Sequence, residues 1–243
     1  MNQLELCNPW PIIFKKKYDF DFENKLKDKV IDSLKVSDQY IKEKNIETPE
    51  KNGGVTTVVL NYAHYPNYSN PHMWPEFDEF GQFVLQTSRE IAKKWHCNPS
   101  AQGTIANSWI NVHPQGGYTM EHNHHGVLMA VVAYLHVPQN GGNLLVKNPL
   151  NPYKFGEPIH PGYFSSFDNN KDGLEWTPIQ VETNDVVFFP GWLNHKTEKN
   201  MSKQDRFVMS CNIYYRIGAG QMLSEEPKEE IHSMLSNQLS RGY

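Results

Sequence analysis

The sequence predicts a β-rich core, a sandwich or barrel, accompanied by two amphipathic helices. From Asn98 to about Gly218, short runs rich in Val, Ile, Phe and Tyr alternate with Gly, Pro and Asn turns, a pattern typical of an all-β core. Aromatic residues make up 12% of the chain, which also favours strands. We predict strands near residues 105–112, 127–136, 143–147, 185–189, 195–198 and 206–215.

Two helices are predicted before this core. Apolar residues recur at helical spacing among charged ones over residues 22–43 and again over 74–95, so each helix has one face for the core. The prolines of residues 9–14 indicate an edge strand or an extended lead-in, because proline cannot donate to a ladder. Residues 56–60 form a short β-like run, and an apolar stripe after residue 224 predicts a C-terminal helix.

The length of 243 residues fits a single domain. We expect an N-terminal strand and supporting helices over residues 1–98, the β core over 99–218 and the C-terminal helix over 219–243. The stretch 148–180 is long, irregular and rich in aromatic residues. It is either a functional lid or a packed loop.

Composition and charge argue against several functions. The net charge of −4, without a dense basic block beyond Lys15–Lys17, argues against a nucleic-acid partner. No stretch is apolar enough for a signal sequence or a membrane span, so we expect a cytoplasmic protein without membrane contact. Cys7, Cys97 and Cys211 are too few and too scattered for a disulfide framework or a cysteine-based zinc site.

The strongest local signal is a histidine cluster before an apolar run. His122 and His124 directly precede the apolar residues 127–135. Because they are two positions apart, their rings project from the same face of an extended segment. Neutral imidazole is a common metal ligand near pH 7. The pair therefore predicts half of a metal site on a β-scaffold.

His195 and Arg206 are candidates for the other half of the site. His195 follows a buried-looking strand that ends in a Pro-Gly turn. If the chain folds back as a hairpin around residues 200–201, His195 and Arg206 lie nearly opposite each other. A histidine ligand would then neighbour a guanidinium fork suited to binding a carboxylate.

Alternation along the last predicted strand separates a polar face from an apolar one. Phe207, Met209, Cys211 and Ile213 form an ordinary core face, whereas Arg206, Val208, Ser210 and Asn212 share the opposite face. Unpaired buried polar groups are costly, so the polar face suits either solvent or a polar ligand cavity. Asn107, Trp109 and Asn111 share one face of a preceding strand in the same way.

Taken in order, these motifs resemble a known family. His122-x-His124, then His195, then Arg206 eleven residues later, are similar to the iron- and 2-oxoglutarate-dependent oxygenases. Three segments, 108–118, 122–134 and 189–212, resemble more closely a largely uncharacterised family of 2-oxoglutarate–iron(II) oxygenases. The resemblance covers roughly residues 105–215 and is carried by the order and spacing of the motifs together.

The resemblance implies a fold, a reaction and a set of site residues. The fold would be a double-stranded β-helix, a cupin-like jelly roll, with N-terminal helices packed on one sheet and a C-terminal helix. The enzyme would be a dioxygenase, acting as a hydroxylase, that couples oxidative decarboxylation of 2-oxoglutarate to oxidation of a small-molecule or peptidyl substrate. Homodimer formation is left open. Iron(II) would be held by His122, His124 and His195, and 2-oxoglutarate would be bound by Arg206, Ser210, Tyr118, Asn107 and Asn212.

One departure from the usual pattern leaves alternatives open. The superfamily normally places Asp or Glu two residues after the first histidine, where this chain has His124. Either three imidazoles bind the metal, or His122 and His195 bind it with a less obvious group. Two other functions remain: a three-histidine cupin-type iron dioxygenase that does not use 2-oxoglutarate, and a non-catalytic jelly-roll binding module.

Overall fold

The structure is a computed structural model that describes residues 13–97, 101–149 and 175–217. Its strands and α-helices, in chain order, are β1 Phe14–Lys17, α1 Lys27–Lys44, β2 Glu50–Lys51, β3 Val55–Thr56, α2 Asp78–Lys94, β4 Ala101–His113, β5 Tyr118–Thr119, β6 Met129–His136, β7 Leu144–Lys147, β8 Trp176–Ile179, β9 Asp185–Pro190, β10 His195–Thr197 and β11 Arg206–Ile217. A π-helical turn, Phe22–Leu26, leads into α1.

Two antiparallel sheets face each other. The large sheet has six strands in the order β1-β9-β6-β11-β4-β3, and a smaller sheet has the order β10-β7-β8. The pair β2-β5 extends the small sheet through a single bridge between His122 and His195. The apolar core between the sheets contains Ala130, Val132, Tyr134, Leu144, Val146, Val187, Phe189, Leu193 and Val208. This is the predicted jelly roll.

The helices cover the outer face of the large sheet. The apolar stripes of α1 and α2 pack with outward-facing strand residues into a second core that includes Val30, Phe80, Val84, Met129, Phe188, Met209 and Cys211. Helix α1 ends where Asn45 adopts the left-handed conformation, a common helix stop. Among the described residues no helix is both long and apolar enough to cross a membrane.

Most predicted elements are confirmed, and several differ from the prediction. All six predicted strands are present within a few residues of their predicted bounds. The β-like run 56–60 is wrong in part: only Val55–Thr56 is a strand, and Thr57–Val59 form a 3-10 turn stabilised by the Thr56 hydroxyl. The second helix begins as two 3-10 turns, Pro71–Met73 and Pro75–Phe77, because the prolines interrupt the donor ladder.

The terminal and loop predictions are described only in part. The N-terminal edge strand exists, but as β1, while residues 9–12 lie outside the described residues. The stretch 148–180 is not irregular throughout, since its end forms β8, paired antiparallel with β7. Residues 150–174 and the predicted C-terminal helix also lie outside the described residues.

The predicted hairpin between His195 and Arg206 is wrong. β10 pairs with β7 in the small sheet, whereas β11 pairs with β4 and β6 in the large sheet. The intervening chain crosses between the sheets, and the buried side chain of Asn200 fixes this crossing. Its amide donates to the carbonyls of His113 and Gln204, each at 2.8 Å, and its oxygen accepts from the Ser202 amide at 2.9 Å.

We predict that Asn200→Ala destabilises the fold by about 1–3 kcal/mol, because these buried backbone groups lose their partners. The adjacent Met201→Ala is the control, since Met201 is 66% exposed and surface changes usually stay within about 0.5 kcal/mol. Urea unfolding measures both variants. Equal midpoints for the two would show that Asn200 does not hold the crossing.

Candidate metal centre and active site

Three imidazoles converge at one end of the jelly roll. One nitrogen from each of His122, His124 and His195 lies within 4.8 Å of the others. The ring centroids are 4.2 Å apart for His122 and His195, 5.1 Å for His124 and His195, and 5.3 Å for His122 and His124. The three predicted metal residues are therefore brought together.

Backbone pairing places these side chains. His122 and His195 exchange two hydrogen bonds, of 3.0 and 2.9 Å, which join the ends of β5 and β10. The amide of His124 donates to the carbonyl of Gly191 at 2.8 Å. A Cβ at Gly191 would lie 2.3 Å from the carbonyl oxygen of Val127, so the turn before His195 accepts only glycine.

Each ring is oriented by an oxygen acceptor at Nδ1. The acceptors are the carbonyls of Met120 for His122 and Leu193 for His195, at 2.8 and 2.9 Å, and the side-chain oxygen of Asn212 for His124, at 2.5 Å. These oxygens only accept, so each Nδ1 carries the proton. Each Nε2 keeps its lone pair, as metal binding by imidazole requires.

Burial keeps the three imidazoles neutral. It lowers the pKa of His124 to about 4, and it lowers the pKa of His122 and carries that of His195 well below the usual range. The neighbouring histidines lower the pKa values of His124 and His195 further, since a charge on one ring opposes a charge on the next. The cluster therefore presents three neutral nitrogen ligands at pH 7.

Glu121 points away from the histidine cluster. Its carboxylate accepts from Lys147 Nζ at 2.6 Å and from the Asn194 amide at 2.7 Å. Among the described residues, the group that could hold a metal ion contains the three histidines and no carboxylate. His125 is exposed and lies outside the group. The geometry thus favours three imidazoles over two histidines with a nearby acid.

A cross-strand row of the large sheet lies beneath the cluster. Phe189 pairs with Ala130, Ala130 with Asn212, and Asn212 with Asn107. The Phe189 ring contacts His195 at 4.7 Å between centroids. Ala130 is small enough to leave room there, and Asn212 reaches His124. Asn107 brings a buried side-chain oxygen that lacks a hydrogen-bond partner in the described part of the chain.

The next row contains Ser210, paired with Trp109 on one side and Val132 on the other. Ser210 is buried, and the Trp109 ring lies 5.6 Å from His124. Tyr118 lies on β5 with the Lys199 ammonium 5.7 Å from its ring centroid. Because its neighbour Thr119 contacts buried His113, Tyr118 faces the other way. The predicted cofactor roles of Ser210, Asn107 and Tyr118 stay predictions.

Arg206 lies at the other end of the interior, and its side chain is fully buried. Its Nη1 donates to the carbonyls of Gly141 and Gly142 at 2.6 and 3.1 Å, and its Nη2 donates to the carbonyl of Glu198 at 3.3 Å. Its Nε donates to Nδ1 of His113 at 3.3 Å. Four of the five N–H donors of Arg206 are used. One N–H, on Nη2, is therefore left for a carboxylate, instead of the two that the predicted bidentate pair needs.

Glycine makes room for this guanidinium. Gly142 has a φ of +82°, and a Cβ there would lie 2.8 Å from the carbonyl oxygen of Lys199 and 3.1 Å from Nη1 of Arg206. Within the described residues, all hydrogen-bond partners of Arg206 are uncharged: an imidazole and three carbonyls. The guanidinium is therefore a buried charge without a carboxylate in contact.

Tyr134 is a candidate site residue that the sequence analysis missed. It is the cross-strand partner of Val208, on the same inner face as Arg206. Its hydroxyl is buried and has no partner in the part of the chain that is described. Burial raises the pKa of Tyr134, and the nearby Arg206 charge opposes that rise. A tyrosine within an otherwise apolar strand was the signal, because a buried hydroxyl normally finds a hydrogen bond.

The fold is a jelly roll, and three neutral imidazoles that could hold a metal ion converge at one end of it. Residues 107–212 match the family model described as "Putative 2OG-Fe(II) oxygenase". This core, which holds every residue of the predicted metal and cofactor sites, is similar to the 2-oxoglutarate- and iron(II)-dependent oxygenases. The cofactors of that class are iron(II) and 2-oxoglutarate. None of the curated proteins matches the sequence.

Solved structures with a similar fold include three oxygenases. An oxidoreductase of the 2OG-Fe(II) oxygenase family from Burkholderia pseudomallei is 12% identical over 60% of this chain and 59% of its own, with a TM-score of 0.41. The viral collagen prolyl hydroxylase from Paramecium Bursaria Chlorella virus-1, in complex with 2OG, is 15% identical over 86% of this chain and 98% of its own, with a TM-score of 0.43. HygX from Streptomyces hygroscopicus, with nickel, 2-oxoglutarate and hygromycin B bound, is 10% identical over 83% of this chain and 82% of its own, with a TM-score of 0.46. Such values carry no substrate over to this chain.

We predict that His195→Ala abolishes stoichiometric iron(II) binding, because two imidazoles cannot complete the centre. His124→Asp should bind iron(II) more weakly than wild type, because the shorter side chain reaches less far. Anaerobic calorimetric titration measures both, with the exposed His125→Ala as the matched control. Unchanged affinity in His195→Ala would exclude the cluster as the metal site.

Proposed function

We propose that this chain is an oxygenase in which His122, His124 and His195 hold iron(II), while Arg206 and Tyr134 bind the far carboxylate of 2-oxoglutarate. One observation carries the cosubstrate assignment. Within the described part of the chain, the fully buried guanidinium contacts no carboxylate and the buried hydroxyl has no hydrogen-bond partner, and the two groups share one face of the interior.

Energetics favour an anionic ligand at this end. An unpaired buried charge costs several kcal/mol even after relaxation, and an unsatisfied buried hydroxyl costs about 1–3 kcal/mol. A carboxylate that accepts from the remaining Nη2 N–H and from the Tyr134 hydroxyl satisfies both groups at once. Arg206 therefore acts with Tyr134 and not as a bidentate fork.

The span between the two ends suits a short dicarboxylate. The carbonyl that accepts from Nη2 belongs to Glu198, three residues after His195. At the rise of a β-strand, this places the guanidinium about 10 Å along the chain from the backbone of the histidine ligand. The side chains that line the interval include Ser210 and Trp109, which pair across the sheet.

The donor set fits the implied metal. Three neutral Nε2 atoms match the imidazole ligation that iron(II) accepts, and Asn212 orients His124 by holding its Nδ1 proton. When bound, iron(II) would supply the chemistry by which dioxygen oxidises 2-oxoglutarate to succinate and carbon dioxide and also oxidises the substrate. The protein's own groups position these partners and exclude water, since the interior around Tyr134 and Arg206 is fully buried.

The competing functions differ in one measurable property. A three-histidine dioxygenase that does not use 2-oxoglutarate does not need the buried charge of Arg206. A binding module does not need the three ordered imidazoles. Anaerobic addition of iron(II) and then 2-oxoglutarate to the apoprotein should produce a metal-to-ligand charge-transfer band. An iron-loaded protein that never shows this band, and forms no succinate in air, would be the three-histidine enzyme instead.

Four further expectations form part of this proposal. They are a cytoplasmic location, a small-molecule or peptidyl substrate, hydroxylation as the outcome, and the open question of a homodimer. The single-domain division of the chain also stays a prediction.

We predict that Tyr134→Phe weakens 2-oxoglutarate binding by about 0.5–1.5 kcal/mol, the net value of one hydrogen bond, and leaves iron(II) affinity unchanged. This variant is cleaner than Arg206→Ala, because Arg206 also ties together three backbone carbonyls. The charge-transfer band, titrated with 2-oxoglutarate, gives the affinity. Tyr40→Phe on α1 is the control, and an effect equal to that control would remove Tyr134 from the cosubstrate site.

A further inference from the structure

We propose that Glu50 and His113 are positioning residues that set the affinity of Arg206 for an anionic cosubstrate. This inference rests on the proposed function. His113 is the last residue of β4 and directly faces Arg206 across the sheet. Glu50 begins β2 and pairs with Thr119 on β5. Glu50 and His113 are both buried.

Hydrogen bonds join these groups in a line. Nε of Arg206 donates to Nδ1 of His113 at 3.3 Å, so Nδ1 carries no proton. The proton therefore lies on Nε2, which donates to the Glu50 carboxylate at 2.6 Å. The hydroxyl of Thr119 donates to the same carboxylate oxygen at 2.8 Å. The line therefore consists of a cation (Arg206), a neutral imidazole (His113) and an anion (Glu50).

This arrangement fixes the imidazole in its neutral form. A protonated His113 would place a proton against the Nε–H of Arg206, two donors facing each other. Burial also lowers the pKa of His113, and the Arg206 charge lowers it further, although Glu50 acts in the opposite direction. The imidazole thus separates the two charges without contributing one.

Glu50 partly compensates Arg206 when no cosubstrate is bound. It is one imidazole away from the guanidinium, and its charge acts on Arg206 across the dry interior, where Coulomb interactions are strong. The far carboxylate of 2-oxoglutarate would bind the same cation from the opposite side. Glu50 therefore opposes the incoming carboxylate and that of succinate, whereas His113 aims the guanidinium at both.

The two residues are expected to have opposite effects on affinity. Glu50→Gln keeps an oxygen that accepts from His113 and Thr119 but removes the charge, so Arg206 binds an anion more tightly. His113→Phe removes the acceptor for Nε–H, so the guanidinium is released from its position and binding weakens. A purely structural role for the network predicts weaker binding from both substitutions.

The test is titration of the iron(II)-loaded protein with 2-oxoglutarate, with 2-oxopentanoate as a probe that lacks the far carboxylate. Glu50→Gln should bind 2-oxoglutarate and succinate about threefold to tenfold more tightly than wild type, with no change for 2-oxopentanoate. His113→Phe should bind 2-oxoglutarate at least threefold more weakly and retain wild-type iron(II) affinity. Glu47→Gln, on the same segment and 91% exposed, should match wild type.

Weaker or unchanged 2-oxoglutarate binding in Glu50→Gln, with wild-type binding intact, would overturn this inference and leave the proposed function standing. Failure of the wild type itself to bind 2-oxoglutarate would overturn both. If Glu50→Gln does not fold, Glu50→Asp is the alternative variant. Its carboxylate lies one methylene further from Arg206, so 2-oxoglutarate binding should strengthen by a smaller factor. Weaker binding in that variant would likewise overturn the proposal.

Discussion

The two faces of β11 are the constraint on which the rest of the structure depends. Its outward side chains, including Met209 and Cys211, are buried under the helices, while its inward side chains reach from Arg206 to Asn212 through the interior. Because side chains alternate, a slip of one residue would place the guanidinium beneath the helices and the apolar side chains beside the metal centre. Pairing with β4 on one side and β6 on the other fixes the register. The helices therefore stabilise the site indirectly, by anchoring the opposite face of the same strand.

Arg206 shows how a jelly roll keeps a charge in its interior. Three backbone carbonyls and an imidazole accept hydrogen bonds from its N–H groups. The close approach of the Gly142 backbone to the guanidinium makes this possible. Carbonyl dipoles solvate the cation but do not neutralise it, so the buried charge remains available to an anion. The charges of Glu50 and Glu198 both act on Arg206, and Glu50 is held one imidazole away. A direct Arg–Glu pair would have closed the site, since the strongest partner of the cation would already be present.

Period-two alternation allowed much of this to be predicted. It identified the polar face of β11, and the spacing of His122 and His124 identified the first half of the histidine cluster. The hairpin prediction was wrong because sequence distance does not reveal that a chain crosses between sheets, and Asn200, which fixes the crossing, looks like an ordinary turn residue. Tyr134, His113 and Glu50 escaped detection for a related reason. Their roles depend on which groups face them across the interior, and that is a property of strand order.

The lack of a carboxylate in the histidine cluster, among the described residues, affects the charge balance of the whole interior. Three neutral imidazoles leave the full charge of a divalent metal uncompensated by the described residues at one end, and Arg206 supplies a second positive charge at the other. An interior that is positive at both ends favours a ligand that is negative at both ends, because each buried charge gains a partner. A monocarboxylate satisfies one end and leaves the other unpaired. In the proposed site, His124 stands where the usual pattern has a carboxylate. This neutral ligand therefore increases the electrostatic preference for a dicarboxylate, which is the charge pattern of 2-oxoglutarate.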